Sequence, residues 1–222
     1  MRRVLISILI LLVLGIGLWL ILTGPNNDQP TNTTTNTTPT VNTSATNTAE
    51  QSTQDPQLAK LALAPTATVE TSLGTFTIRF YTAEAPELTK NFLELAKSGY
   101  YDGLTFHRII PNFVIQGGDP LGTGTGGHSY KGEDTGLADE PGALALRHLR
   151  GAVAWAKSSL PNSIGSQFYV ALKPLTQLDG GYSVFGQVVS GMDVIDAIAA
   201  VPTDASDAPV DPVTITKVTV TD

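Results

Sequence analysis

Cysteine is absent from the chain and histidine occurs only three times. Without a thiol there is no disulfide, no thiolate nucleophile and no Cys-ligated zinc, and the redox compartment leaves no mark on the sequence. His107, His128 and His148 are dispersed along the chain, so no metal site is expected from them, and His128 and His148 read as surface residues. Positive charge is scarce as well. Against 13 Lys+Arg stand 20 Asp+Glu, a formal charge of −7. Arg2, Arg3 and Lys60 are offset by Asp28, Glu50 and Asp55, so residues 66–222 carry the whole deficit. Such a surface repels a phosphate backbone, and nucleic acid is not an expected partner.

Long apolar runs are lacking too, with one exception. Val4 to Leu22 is an uncharged stretch of 19 residues behind Arg2 and Arg3. At about 1.5 Å per residue it nearly spans a hydrocarbon layer of about 30 Å. Trp19, Leu20, Ile21 and Leu22 fill its end, and the following Thr23, Gly24 and Pro25 show no small-residue cleavage pattern. Residues 1–22 therefore read as an uncleaved transmembrane anchor, with the arginines cytoplasmic and everything after Leu22 outside the cell membrane. No cysteine follows the run, which excludes a bacterial lipoprotein. From Asn26 to Asp55, 11 Thr and 6 Asn fall among 30 residues, and only Val41, Ala45 and Ala49 are apolar. No face exists there whose burial could offset the entropy of ordering, so residues 23–65 are expected to be a disordered tether. Asn32 and Asn36 match the glycosylation acceptor pattern, but composition alone produces such matches in a Thr/Asn run. Gln57 to Ala64 spells a short helix before Pro65.

Residues 66–222 have the patterning of one folded domain. Ala67, Val69, Thr71 and Leu73 alternate with polar residues, and Phe76, Ile78 and Phe80 restart the alternation after Gly74, which predicts a hairpin. Pro86 opens a helix carrying Leu88, Phe92 and Leu95 at helical spacing, and Gly99 ends it. Short apolar runs then follow at 106–110, 113–116, 152–156, 167–172 and 183–189, each bounded by turn residues. A second helix is expected over Gly191–Val201 and a last strand over Val213–Val220, with a bulge between Ile215 and Val218 where the parity shifts. Strands that outnumber two one-sided helices predict a mostly β fold, a closed antiparallel barrel capped by a helix at each end. Gly122, Gly124 and Gly127 satisfy the spacing of a dinucleotide loop, but Pro120 precedes them and no helical pattern follows.

The run Phe106-His107-Arg108-Ile109-Ile110-Pro111-Asn112-Phe113-Val114-Ile115-Gln116-Gly117-Gly118-Asp119 resembles the signature of the cyclophilins. Further matches lie at Gly124–Gly127, Gly165–Val170, Leu178-Asp179-Gly180 and Val184-Phe185-Gly186, in the family's order, so that the resemblance extends from about Thr68 to Val220. It implies an eight-stranded cyclophilin-like barrel over 66–222 and peptidyl-prolyl cis/trans isomerisation, without cofactor or metal. It also implies a site. Arg108 matches the essential arginine, Gln116 would hold it or bind the substrate, and His107 would support it. Phe113, Val114, Tyr169, Leu178 and Tyr182 would form the proline pocket, and Gly124, Ala156, Lys157 and Gln167 would line the adjoining peptide groove. Together with the anchor, this predicts a monomeric, membrane-held bacterial member acting on proline-containing segments of unfolded or exported proteins. The alternative is a non-catalytic chaperone module that binds proline peptides in the same groove.

Three positions depart from the family pattern. Gln177 stands where eukaryotic members carry the tryptophan associated with tight cyclosporin binding, so weak inhibition with isomerisation retained is expected. Tyr182 replaces a pocket histidine, as in bacterial members, and Tyr169 replaces a phenylalanine. Lys157, where asparagine is frequent, adds a charge expected to favour acidic peptides.

Overall fold

A computed structural model describes residues 55–222. The expected anchor, nearly all of the expected tether and both Asn-x-Thr sites lie outside the described residues. Among the described residues no helix is long and apolar enough to cross a membrane.

Eight strands are present: β1 Thr66–Thr71, β2 Gly74–Phe80, β3 Arg108–Ile110, β4 Val114–Gly117, β5 Ala152–Trp155, β6 Phe168–Ala171, β7 Val184–Ser190 and β8 Ile215–Thr221. They form one antiparallel sheet in the order β3-β4-β6-β5-β7-β2-β1-β8. The expected closed barrel needs correction, because the edge strands β3 and β8 share no ladder and the sheet is open and curled. β3 is only three residues long and has a ladder on one side alone, with β4. The segment before β3 bridges the gap instead. Thr105 forms an isolated bridge with Thr214, Phe106 N–H donates to Val213 C=O at 3.0 Å and Gly103 N–H to Ile215 C=O at 2.8 Å. In β8 the parity shift is real: Glu70 faces Lys217 and Thr71 faces Ile215, which leaves Thr216 as the extra residue.

The helices are α1 Pro86–Lys97, α2 Pro141–Leu144 and α3 Met192–Ala199. Pro86 sits at the first turn of α1, where its missing N–H is harmless, while the Glu140 carboxylate caps the Glu87 and Leu88 N–H groups at 3.2 and 2.9 Å. At the other end Gly99 adopts φ +74°, and the Gly99 and Tyr100 N–H groups turn back to the Ala96 and Leu95 carbonyls. α1 packs on β7 and β8, and α3 on β2, β3 and β4. The single turn of α2 was not expected, since four residues are too few to show a helical period.

The curled interior is aromatic. Phe92 of α1 stands at its centre, 4.9 to 6.4 Å from the rings of Phe80, Tyr101, Trp155, Phe168 and Phe185. A second, smaller apolar cluster lies on the outer face of the sheet and contains Val114, Ala154, Tyr169 and Val184, with Phe113, Ala156, Leu178 and Tyr182 partly buried against it. Strand parity separates the two. Phe168 and Val170 point inward while Tyr169 and Ala171 belong to the outer cluster, and Trp155 and Val153 point inward while Ala154 does not.

Residues 55–65 were counted with the tether from their composition, yet they lie against the domain. Leu58–Lys60 makes one 3-10 turn, and Leu61 touches the outer cluster. Gln57 is buried: it accepts from Arg147 N–H at 2.7 Å and donates to Arg147 C=O at 3.0 Å and to the Tyr81 hydroxyl at 3.4 Å. Asp55 pairs with the Arg147 guanidinium at 2.6 and 2.8 Å. One side chain that satisfies three polar groups holds a segment whose hydropathy gives it no reason to be held.

Candidate active site

Sheet register builds the site. Arg108 in β3 faces Gln116 in β4, Gln116 faces Tyr169 in β6, Tyr169 faces Ala154 in β5, and Ala154 faces Val184 in β7. Because side chains alternate across a sheet, this row lies on the face opposite the aromatic interior. The next row contains Ala156 and Gln167, joined by Ala156 N–H donating to Gln167 C=O at 3.0 Å. Two strands of the signature, distant from Gln167 and Tyr169 in sequence, thus place a guanidinium, two amides and an apolar cluster side by side.

Hydrogen bonds run along the polar end of the row. Arg108 Nη1 donates to Gln116 Oε1 at 3.4 Å, Gln116 Nε2 to Gln167 Oε1 at 2.9 Å, and Gln167 Nε2 to the Gly126 carbonyl at 2.8 Å. Each amide both accepts and donates, so the chain has one consistent direction and ends in a backbone carbonyl. On its other edge Arg108 Nε lies 3.8 Å from Asp207 Oδ2, a long pair with both side chains more than 40% exposed, worth at most about 1 kcal/mol. Nη2 has no hydrogen-bond partner among the described residues and remains open to a ligand.

Gly124 is held in a tight loop by Asp119. The Asp119 carboxylate accepts from the N–H groups of Leu121, Thr123 and Gly124 at 2.8, 3.0 and 2.6 Å. Burial alone would raise this carboxyl, but these N–H donors and that of Gly126 outweigh it and hold Asp119 below the usual carboxylate range. Gly118, just before it, adopts φ +86°, and a Cβ there would lie 2.4 Å from the Ser166 carbonyl, so only glycine delivers Asp119 to the loop. The linkage follows from the direction of the shift. Asp119 contributes stability that is present above its unfolded value, about 3.9, and is lost as pH falls through the lower folded value. The Gly124 amide resonance is therefore expected to hold steady from neutral pH to about pH 4 and to move only below that. Asp119→Ala is expected to cost about 1–3 kcal/mol, because the exposed loop loses the buried carboxylate that accepts from three of its N–H groups; a thermal melt measures it.

Two expected site residues behave differently from the expectation. His107 gives Arg108 no hydrogen bond. Both of its ring nitrogens are buried without a partner among the described residues, beside Gly124, and burial pushes the imidazole below its ordinary value. Lys157 does border the groove, but it is paired with Asp139, which also accepts from the Ser183 hydroxyl at 2.7 Å, and its ammonium lies 5.6 Å from the Tyr182 ring. Its charge is neutralised within the protein, so the expected preference for acidic peptides loses its basis. Sequence reasoning also placed His148 on the surface. It is 1% exposed and lies directly behind Tyr169. Gln177 is exposed on the 3-10 turn Thr176–Leu178, next to Leu178 of the outer apolar cluster. An inhibition titration is therefore expected to show weak cyclosporin binding while isomerisation persists.

Volume is a poor guide to this site. A hollow of about 520 Å³ adjoins it, bordered by Asp139, Lys157, Leu160 and Tyr182. A larger one of about 1110 Å³ lies between Leu58, Leu63, Arg79, Val189 and Met192 and contains none of the row. Neither hollow coincides with the row Arg108–Gln116–Tyr169.

Comparison with known proteins identifies the family. The family profile described as "Cyclophilin type peptidyl-prolyl cis-trans isomerase/CLD" matches residues 66–220. A peptidyl-prolyl cis-trans isomerase-like 1 of Neurospora crassa is 47% identical over 155 residues, 70% of this chain and 93% of that protein. A peptidyl-prolyl cis-trans isomerase of Arabidopsis thaliana is 42% identical over 158 residues, 71% of this chain and 94% of its own. Among solved structures, a Cryptosporidium parvum cyclophilin-type isomerase crystallised in the presence of the dipeptide Ala-Pro has a TM-score of 0.66 at 35% identity, covering 71% of this chain and 99% of that one. With the profile spanning nearly the whole described domain, this chain belongs to the cyclophilin-type peptidyl-prolyl cis-trans isomerases and is an enzyme of X-Pro bond rotation.

Proposed function

We propose that Arg108 is the catalytic group of this isomerase and that Phe113, Val114, Tyr169, Leu178 and Tyr182 grip the proline ring, with Gln116 orienting the guanidinium. The observation that carries the reading is the single row in which Arg108 stands beside Gln116 and Tyr169 above an apolar cluster. Rotation of an X-Pro bond faces a barrier of about 18–20 kcal/mol because nitrogen lone-pair delocalisation gives the C–N bond double-bond character. As the bond twists, that lone pair localises and becomes a hydrogen-bond acceptor. A guanidinium held at the nitrogen therefore stabilises the twisted state more than the planar one, and only such differential binding accelerates the reaction. Proline held in an apolar cluster stays fixed while the preceding residue turns. Gly124, Ala156 and Gln167 border the path of the flanking peptide.

The same proposal places the enzyme outside the cytoplasmic membrane of a bacterial cell, as a monomer acting on exported or surface proteins whose folding waits on proline isomerisation. Its support is the uncharged run Val4–Leu22 behind Arg2 and Arg3, followed by the Thr/Asn-rich stretch. An uncatalysed X-Pro bond takes tens to hundreds of seconds to isomerise, long enough to limit the folding of an exported chain. Cell fractionation combined with external protease digestion and N-terminal sequencing tests the placement. A membrane-bound chain with an intact N-terminus and a protease-accessible domain is expected; recovery of the full chain in the cytosol would refute it.

A further inference from the structure

Behind the pocket lies a buried hydrogen-bonded chain that the catalytic row does not use. His148, 1% exposed, has Nδ1 at 2.8 Å from Asp179 Oδ1 and Nε2 at 2.8 Å from the Tyr169 hydroxyl. Its backbone joins in: His148 N–H donates to the same Asp179 oxygen at 2.8 Å, and its C=O accepts from Leu175 N–H at 2.9 Å. The imidazole and the Tyr169 ring lie nearly parallel, 5.9 Å apart at 8°, and Tyr182 meets Tyr169 edge-on at 6.2 Å.

The chemistry assigns each proton. A carboxylate only accepts, so Nδ1 carries the hydrogen toward Asp179. Burial pushes His148 below its ordinary value against the opposing pull of Asp179, which keeps the ring neutral. Nε2 is then a lone pair, and the Tyr169 hydroxyl donates to it. That hydroxyl is engaged by the imidazole, so the pocket sees an apolar ring. Asp179 follows Leu178 directly, and the segment from Leu175 to Asp179 is tied to His148 at both ends. His148 therefore fixes the floor of the pocket, Tyr169, through its ring, and the wall, Leu178, through backbone bonds that a side-chain substitution leaves in place.

We propose that His148, oriented by Asp179, is a positioning residue that sets the width of the prolyl pocket through the Tyr169 hydroxyl. The device is needed because residue 169 is tyrosine. Without an acceptor behind it, a buried phenol either strands its O–H or swings it toward the ligand, and the floor moves. A phenylalanine at 169 has no such requirement. Loss of His148 is therefore harmful with Tyr169 present and nearly silent with phenylalanine there, a dependence that a general structural role would not show. The proposal rests on the reading of Tyr169 and Leu178 as pocket residues.

The test uses the full chain in mild detergent, as wild type, His148→Leu, Tyr169→Phe and the double variant, with KM and kcat measured on an Ala-Pro peptide. His148→Leu is expected to raise KM about tenfold while kcat stays within about threefold, as fits one stranded buried hydroxyl in the pocket floor. In the Tyr169→Phe background the same change is expected to alter KM by less than about twofold. An equal rise in both backgrounds, or an unchanged KM in His148→Leu, overturns the proposal. A second readout needs no His148 variant. A long-range ¹H–¹⁵N spectrum of wild type is expected to show His148 protonated at Nδ1 only, with its Nε2 resonance displaced in Tyr169→Phe; a proton on Nε2, or no displacement, refutes the clamp. Arg108→Ala separates the two readings: if it leaves the rate intact, the site assignment fails, while the spectrum still reports on the hydrogen-bonded chain.

Discussion

Replacing Arg108 with alanine is expected to lower kcat/KM for an Ala-Pro peptide by about 10²–10³, the effect of removing one preorganised charge-stabilising donor. The loss should fall on kcat, because in the proposed site Phe113, Val114, Tyr169 and Leu178, and not the guanidinium, would hold the proline ring. Arg108→Lys is expected to recover little of it. Lysine carries the charge, but it lacks the planar fork that lets one edge rest on Gln116 while Nη2 stays without a partner among the described residues. Stability should barely change, since the Asp207 pair is long and exposed on both sides. A protease-coupled or exchange assay beside a thermal melt reads both quantities. A large drop in melting temperature would mean that the arginine is a structural residue.

Phe92→Ala is expected to be the most damaging change to the fold. Phe92 is fully buried and lies within 6.4 Å of five other rings: Phe80, Tyr101, Trp155, Phe168 and Phe185. With Leu88, Leu95 and Ala96 it ties α1 to the interior of the sheet. Large-to-small changes at such sites cost about 3–5 kcal/mol, because the lost transfer energy is joined by a cavity that rigid neighbours cannot fill. For a domain of this size that is a melting-temperature drop on the order of 10 °C. Phe168, which packs edge-on against Phe92, lies between Gln167 and Tyr169. Activity measured well below the new melting point should therefore fall modestly as the β6 row loosens. A chemical denaturation curve settles the size of the effect, and an unchanged midpoint would show that the interior does not depend on this ring.

Local patterns carried much of this fold into the sequence. Alternation in 66–80 and helical spacing in 86–99 are short-range signals, and the strands and α1 lie where those signals put them. The row Arg108–Gln116–Tyr169 was legible only by resemblance, since nothing in the spacing of residues 108, 116 and 169 states their register. That the sheet stays open was not legible at all, because no local pattern states whether its edge strands β3 and β8 pair. His148 sits in a turn-rich segment without periodicity, and its burial comes from Asp179 and Tyr169, 31 and 21 residues away. Lys157 shows the same limit, as its charge is cancelled by Asp139, 18 residues earlier. A polar residue's role is decided by its partner, and partners distant in sequence leave no local trace.

The most direct test of the account is a crystal structure of this protein soaked with Ala-Pro. The pyrrolidine ring is expected on Tyr169, between Phe113 and Leu178, with the Arg108 guanidinium about 3.5 Å from the prolyl nitrogen. A dipeptide bound elsewhere, or an Arg108 side chain folded back onto Asp207 with the apolar cluster empty, would contradict it.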